Sequence, residues 1–331
     1  MNNAKNFLKT LFPRFYSSKI GLFLRNKIGE RIDFRAQEAA TEYISGLLNK
    51  YDQGDIDELT IKPRQTLDGQ RMIIWQFWWQ GNEAELPPLT KLSFRSVDKF
   101  KGEFQVIRLD RYSIHKYLSI PNSIIEKVKN QQFSIAAFSD LLRIALLYYY
   151  GGVWIDATVV LTNELDKKYL LRDYFLFHRK SLPKSEKKIW YTQNRFYFNW
   201  HPRHKVKLLN GFFCVNARKP SDLYCFFRLL NYYWCTEKRQ KHYFFFQILF
   251  NELYEKGYIK DYLIEESDTI PHQLLLRLEQ EFNELEYRKI INLTHVHVFR
   301  HHVQLKKGSF YEHVINSIDE KLLDDFTKKD V

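Results

Sequence analysis

Asp140 and Arg143 stand three residues apart in Phe138-Ser-Asp-Leu-Leu-Arg-Ile-Ala-Leu-Leu-Tyr-Tyr-Tyr-Gly-Gly-Val-Trp-Ile-Asp-Ala-Thr158. On a helix that spacing turns a carboxylate and a guanidinium to the same side. The surrounding residues are apolar nearly all round, so the pair is expected to be buried, and a buried charge pair requires a reason. The plain alternative is a local ion pair that merely steadies the helix. Asp156 follows a short apolar run. A carboxylate just past the carboxyl end of a buried strand is where a metal–phosphate site can be built, although a lone Asp there also serves as a turn former. Gly151 and Gly152 let the chain leave the helix in a left-handed conformation and turn into the strand.

The elements that must position these groups can be read from periodicity. Residues 36–50 read as a helix, 72–79 as an apolar strand, 89–100 as a short helix and 104–109 as a strand. Helices follow at 121–130 and, most clearly, at 135–150, ended by Gly151-Gly152. Residues 153–155 and 159–161 read as strands around Asp156-Ala-Thr158. In the second half, strands are expected at 174–177, 211–215 and 294–299, and helices at 223–234, 243–255 and 272–287. Alternating strands and helices predict an α/β fold with a mainly parallel central sheet and added helices.

The 331 residues carry 51 Lys+Arg against 39 Asp+Glu and are 17% aromatic, which excludes general disorder. Residues 1–35 hold eight Lys/Arg against two Asp/Glu, half of the net +12. Their mix of Phe, Leu and basic residues suits a segment lying on an anionic membrane surface; a solvated basic arm is the other reading. The expected organisation is a basic arm over 1–35, a helical lead-in over 36–70, one catalytic domain over 71–315 and a tail over 316–331. No run is long and apolar enough to span a bilayer. The cysteines, Cys214, Cys225 and Cys235, are odd in number with no paired spacing, which points to a reducing compartment. GxGxxG, P-loop, HExxH and GxSxG motifs are absent. The charge is too localised for a nucleic-acid-binding protein, and no RNA or DNA module signature is present. The basic aromatic stretch 178–207 could stack on sugars or bases, or be purely structural.

Ser139-Asp-x-x-Arg143, the Leu/Tyr-rich helix and Tyr150-Gly-Gly-Val-Trp-Ile-Asp-Ala-Thr158 resemble the core motif of the bacterial capsular polysaccharide synthesis proteins. Ile74-Trp-Gln-Phe-Trp-Trp-Gln-Gly81 is similar to that family's first strand. More remote similarity extends to initiating mannosyltransferases and clostridial glucosylating toxins, and the resemblance covers about residues 70–315. It implies a GT-A-like nucleotide-sugar-binding domain and a glycosyltransferase. Such an enzyme would move a hexose-type sugar, with retention, from a nucleotide-diphosphate donor of the UDP type. The acceptor would be a growing glycan or lipid-linked glycan, at the inner face of the bacterial cytoplasmic membrane.

Carried over residue by residue, Asp140 and Arg143 would hold the donor sugar, with Arg143 reaching the diphosphate. Gly151 and Gly152 would also belong to the donor-binding residues. Trp75, Gln76 and Trp78 would line the base pocket. Asp156 is the first acid of a DXD-like motif, and Thr158 stands at the second. Asp156 and Thr158, with His297 added from the C-terminal histidine cluster, would bind Mn2+ or Mg2+; the neutral hydroxyl of Thr158 is a weak ligand. His242 stands where the family commonly has Asp. These two departures keep a catalytically inactive scaffold as the competing reading.

Overall fold

The computed structural model describes residues 19–67, 72–81, 86–171, 173–216, 220–259 and 264–327. The chain begins with helix α1 (Lys19–Asp52), followed by β1 (Lys62–Pro63), β2 (Ile73–Phe77), α2 (Pro88–Phe100), β3 (Gln105–Leu109) and β4 (Leu118–Ser119). Next come α3 (Asn122–Lys129), α4 (Ile135–Tyr150), β5 (Gly152–Ile155), β6 (Val159–Leu161), β7 (Tyr174–His178), α5 (Lys184–Asn194) and β8 (Leu208–Val215). The remainder is α6 (Ser221–Thr236), α7 (Phe245–Glu255), β9 (Ile264–Glu266), α8 (Glu284–Ile291), β10 (Val296–Val298), α9 (Phe310–Asp319) and α10 (Leu323–Thr327).

The fold is α/β. Six strands form the central sheet in the order β3-β2-β5-β8-β7-β9. β2 runs parallel to β3 and β5, and β7 parallel to β9, while β8 is antiparallel to both of its neighbours. The expectation of a mainly parallel sheet therefore holds for three of five pairings, and the sheet is mixed. Every residue of β2, β5 and β7 is buried, because helices and loops cover both faces. Ile73, Trp75 and Phe77 enter one core with α1, α4, α6 and α7; Ile74, Val153 and Phe212 enter the core on the opposite face.

Helix α4 forms where the pattern places it. Ser134 caps it, accepting from the Ala137 N–H at 3.1 Å. Gly151 ends it at φ 68°, its N–H reaching the Leu147 carbonyl at 3.0 Å. Gly152, at φ 95°, lies so close to β2 that a Cβ would sit 2.3 Å from the Ile73 carbonyl oxygen. The two glycines thus allow the tight helix-to-strand turn and the close seating of β5 on β2.

The expected helix over 272–287 does not form. Short 3-10 turns occupy Ile270–His272 and Leu274–Leu276, and a separate helix begins after Asn283, whose side chain accepts from the Glu286 N–H. That Asn is a better helix start than interior residue. Helix α1 runs unbroken through residue 35, where the sequence sets the boundary between arm and lead-in. Residues 1–18 lie outside the described part.

Candidate active site

A cleft of about 470 Å³ opens at the carboxyl ends of β2 and β5. Phe77, Trp78, Trp79 and Gln80 form one wall and the first turns of α4 another; Asp140, Arg143, Asp156 and Asn210 lie in it, with Thr158, Tyr243 and His301 along its rim. Helix α4 brings Asp140 and Arg143 to the carboxyl end of β5, where Asp156 leaves the sheet.

The charges form one array. Arg143 donates through Nη1 to Asp140 Oδ1 and through Nη2 to Asp156 Oδ1, the latter at 2.8 Å. Asn210 Nδ2 reaches Asp140 Oδ1 at 2.8 Å, and Trp154 Nε1 reaches Asp156 Oδ1 at 2.6 Å. The guanidinium also lies over the rings of Trp154 at 5.0 Å and Phe246 at 5.5 Å, an aromatic seat that holds it flat. Burial alone would lower the pKa of Arg143, but Asp156 and Asp140 more than reverse this and hold it above its ordinary value. Burial pushes the Asp140 carboxyl up to about 6, against the pull of Arg143 and Asn210. The Asp156 charge adds a smaller push in the same direction as burial.

Gly211 matters to this arrangement. Its carbonyl accepts from the Asp156 N–H at 2.8 Å, and a Cβ there would stand only 3.3 Å from Asp156 Oδ2. A side chain at 211 would press on the carboxylate.

Of the residues expected from sequence, Asp140, Arg143, Asp156, Thr158 and Trp78 meet in the cleft. Trp75 does not. It is fully buried, donates through Nε1 to the Gly151 carbonyl at 2.9 Å and packs against Tyr117 and Tyr150. Gln76 is likewise buried, with Oε1 accepting from Arg108 Nε at 3.0 Å. Their placement follows from the strand: positions within β2 are covered on both faces, whereas Trp78 and Trp79 lie beyond its end. Gly151 and Gly152 are buried in the turn and do not line the cleft.

His297 is also misplaced by the sequence. It is fully buried in β10, opposite Val160, with Nε2 3.1 Å from Thr162 Oγ1; burial, then His295, lowers its pKa to about 3. The histidine of that cluster which faces the cleft is His301. Asn210, Trp79 and Gln247 were not assigned from sequence. Asn210 carries a local signal, a polar residue before Gly211 in an apolar strand, but its closeness to Asp140 spans 70 residues.

His242 does locally what a short carboxylate would. Its Nδ1 accepts from the Phe244 N–H at 3.0 Å, closing the turn that presents Tyr243, while Nε2 lies 3.5 Å from Asp33 Oδ1. Part of the 178–207 stretch is structural, while most of 184–195 is exposed. Arg179 makes a buried, two-pronged pair with Asp268 and lies under the rings of Tyr197, Phe198 and Trp200.

Among the described residues no three His, Cys, Asp or Glu side chains converge as a metal site. The charged groups lining the cleft there are Asp140, Arg143, Asp156 and, when protonated, His301. With His301 neutral, two carboxylates against one guanidinium leave the floor one negative charge in excess, which suits a divalent cation arriving with an anionic ligand better than an anion alone.

The family model for capsular polysaccharide synthesis proteins matches residues 25–316. No curated protein matches the chain in sequence. Among solved structures it is similar to the apo form of the bifunctional glycosyltransferase WbbM, with 11% identity and a TM-score of 0.42, over 80% of this chain and 53% of that one. It is also similar to apo glycosyltransferase GlyE of Streptococcus pneumoniae TIGR4, with 10% identity and a TM-score of 0.39, over 78% of this chain and 63% of that one. PaToxG glycosyltransferase is matched over 89% of this chain and 97% of that one, with 10% identity and a TM-score of 0.30. The chain thus spans about half of WbbM and under two thirds of GlyE, and likenesses at these scores carry no functional argument.

Proposed function

The chain belongs to the capsular polysaccharide synthesis protein family, and from that premise we propose that it is a GT-A-like glycosyltransferase acting in capsule or other surface-glycan synthesis. The donor is a nucleotide-diphosphate sugar, of the UDP type and carrying a hexose; the acceptor is a glycan or lipid-linked glycan; transfer proceeds with retention. The observation that carries the reading is the shared Asp140–Arg143–Asp156 array in the floor of a cleft walled by Trp78 and Trp79.

In the reaction, the bond from the anomeric carbon to the diphosphate oxygen breaks and a bond to an acceptor hydroxyl oxygen forms. The hydroxyl proton passes to the departing phosphate, so no protein nucleophile is needed. Asp140 and Asn210 orient the donor sugar. The bonds from Arg143 and Asn210 both arrive at Asp140 Oδ1, so Oδ2 is the oxygen that a sugar hydroxyl would reach. Arg143, only 1% exposed, acts from beneath as a fixed positive charge for the diphosphate side. Trp78 and Trp79 offer flat surfaces for a base or sugar. Mn2+ or Mg2+ would be held by Asp156 and Thr158 together with the diphosphate, and would supply charge neutralisation to the leaving group; His297 takes no part. Residues 1–35 would hold the enzyme at the cytoplasmic leaflet.

The test is a panel of nucleotide sugars, read first by thermal shift and then by released nucleotide, on wild type and Asp156→Asn. One donor should stabilise the wild type and be turned over, and the folded variant should lose about 100-fold or more in turnover. Wild-type turnover in Asp156→Asn would remove Asp156 from the mechanism. Absence of turnover with every donor would favour the inactive scaffold.

A further inference from the structure

Beside the cleft lies a second groove of about 660 Å³, and Ile135 and Tyr243 line both. From this continuity we infer that the groove is the acceptor subsite and that it binds a neutral oligosaccharide; the inference rests on the glycosyltransferase reading above. Tyr243 stands between the two spaces, 64% exposed, with its ring edge-on to Phe244. It lines the cleft that holds Asp140 and Asp156; partial enclosure, and then the charges of those two residues, raise its hydroxyl pKa.

The chemistry of the groove suits uncharged hydroxyls. Gln131, Gln132 and Ser134 line it, and an amide both donates and accepts; the Gln240 amide beside them is already bonded at both ends, to the Ser134 N–H and the His242 carbonyl. Of the basic residues lining it among the described residues, Lys241 is already engaged, with Nζ 3.0 Å from Glu237 Oε2 and 4.2 Å from the centre of the Tyr43 ring, and His242 is held between the Phe244 N–H and Asp33. Little charge is left to recruit an anionic ligand. An exposed tyrosine ring beside amides offers a sugar an apolar face and hydrogen bonds together. The cleft's other extension, past His301, is smaller at about 270 Å³ and is lined mainly by Leu89, Val303, Leu305, Tyr311 and Phe326 with histidines.

Two features show a groove built rather than left over. Its two sides are clamped: Gln240 N–H reaches the Gln132 carbonyl at 2.9 Å, and Gln240 Oε1 accepts from the Ser134 N–H at 3.0 Å. Gln131, at φ 55°, is the non-glycine residue held in the left-handed region among the described residues. It follows the end of α3, where glycine or asparagine is the easy choice. A glutamine there keeps an amide on the groove wall at the expense of backbone strain, and such strain clusters at ligand sites.

The experiment probes the full chain on an array of neutral hexose and N-acetylhexosamine oligosaccharides alongside acidic ones, for wild type, Gln131→Gly and Tyr243→Ala. Melting temperature and nucleotide release are measured on the same samples. Neutral oligosaccharides should be retained by wild type and held about tenfold less tightly by Gln131→Gly, the worth of a lost hydrogen bond. The Gln131→Gly melting temperature should be equal to or above wild type, because glycine relieves the strain. Tyr243→Ala should also weaken retention. Retention of no neutral oligosaccharide, a preference for acidic ones, or wild-type retention by Gln131→Gly would overturn the assignment. Nucleotide release without glycan retention would sink the groove and leave the transferase reading standing; glycan retention without turnover of any donor would do the reverse.

Discussion

Asp140 is the residue whose titration the structure makes measurable. Its carboxyl is pushed up to about 6 by burial, opposed by Arg143 and Asn210, from an ordinary 3.8. A folded value above the unfolded one means that its contribution to stability is fully present below about 3.8 and is lost as pH rises through about 6. Function runs the other way, because the ionised carboxylate is the form that pairs with Arg143 and accepts from a sugar hydroxyl. The donor KM should therefore rise as pH falls through about 6, and this limb should be absent from Asp140→Asn; an unchanged limb in that variant would assign it to another group. At Asp156 the expectation concerns metal. A single carboxylate beside a guanidinium is a poor cation site alone, so Mn2+ should bind weakly to the protein and at least tenfold more tightly once a nucleoside diphosphate is present. Titration calorimetry with and without UDP checks this, and the His297→Ala variant should behave as wild type.

At the scale of elements, the α4–β5 turn is the part on which the cleft depends. Gly152 combines φ 95° with contact against the β2 backbone, so Gly152→Ala is strained twice over. It should destabilise the fold by at least about 1 kcal/mol, read as a lower denaturant midpoint with an unchanged slope. A variant as stable as wild type would show that β5 can move away from β2 without harm. Trp154 and Ile155 carry Asp156 at their end, so any such shift should also strain the Arg143–Asp156 bond, which joins α4 to the end of β5. Helix α4 reads correctly from sequence because a long apolar run of helix length meets the Gly151-Gly152 stop; the structure adds the Ser134 cap. The region after β9 does not, since Asn283 looks like one polar position among others until its capping bond is seen.

The whole molecule presents an outer surface on α1 that fits the membrane reading of residues 1–35. Ile28 and Ile32 are 56% and 46% exposed, and Arg31 and Arg35 beside them are exposed too. Neighbouring Glu30 and Phe34 face inward, towards Tyr191 and His201. No helix among the described residues is long and apolar enough to cross a membrane. The full chain should co-sediment with vesicles containing anionic phosphatidylserine, less so at high salt and less so in Ile28→Ser/Ile32→Ser. Equal binding to purely zwitterionic vesicles would remove the electrostatic part of the expectation.

Legible in the chain alone were the α/β alternation, the α4 helix with its glycine stop and the grouping of Asp140, Arg143 and Asp156, because these rest on contacts within about 16 residues and on backbone conformations that only certain residues adopt. Their meeting in one array followed from a helix, a turn and a strand that are consecutive in the chain. Tertiary structure decided which tryptophan faces the cleft. In a strand covered on both sides nearly every position is apolar, Gln76 being the exception in β2, so no alternation in the sequence separates Trp75 from Trp78. It also decided that His301 rather than His297 reaches the rim, and that Asn210 and Tyr243 join residues of α4 from across the fold. Those neighbours are set by how β8 and α7 pack on the sheet, and packing between distant segments leaves no period or spacing in the chain to read.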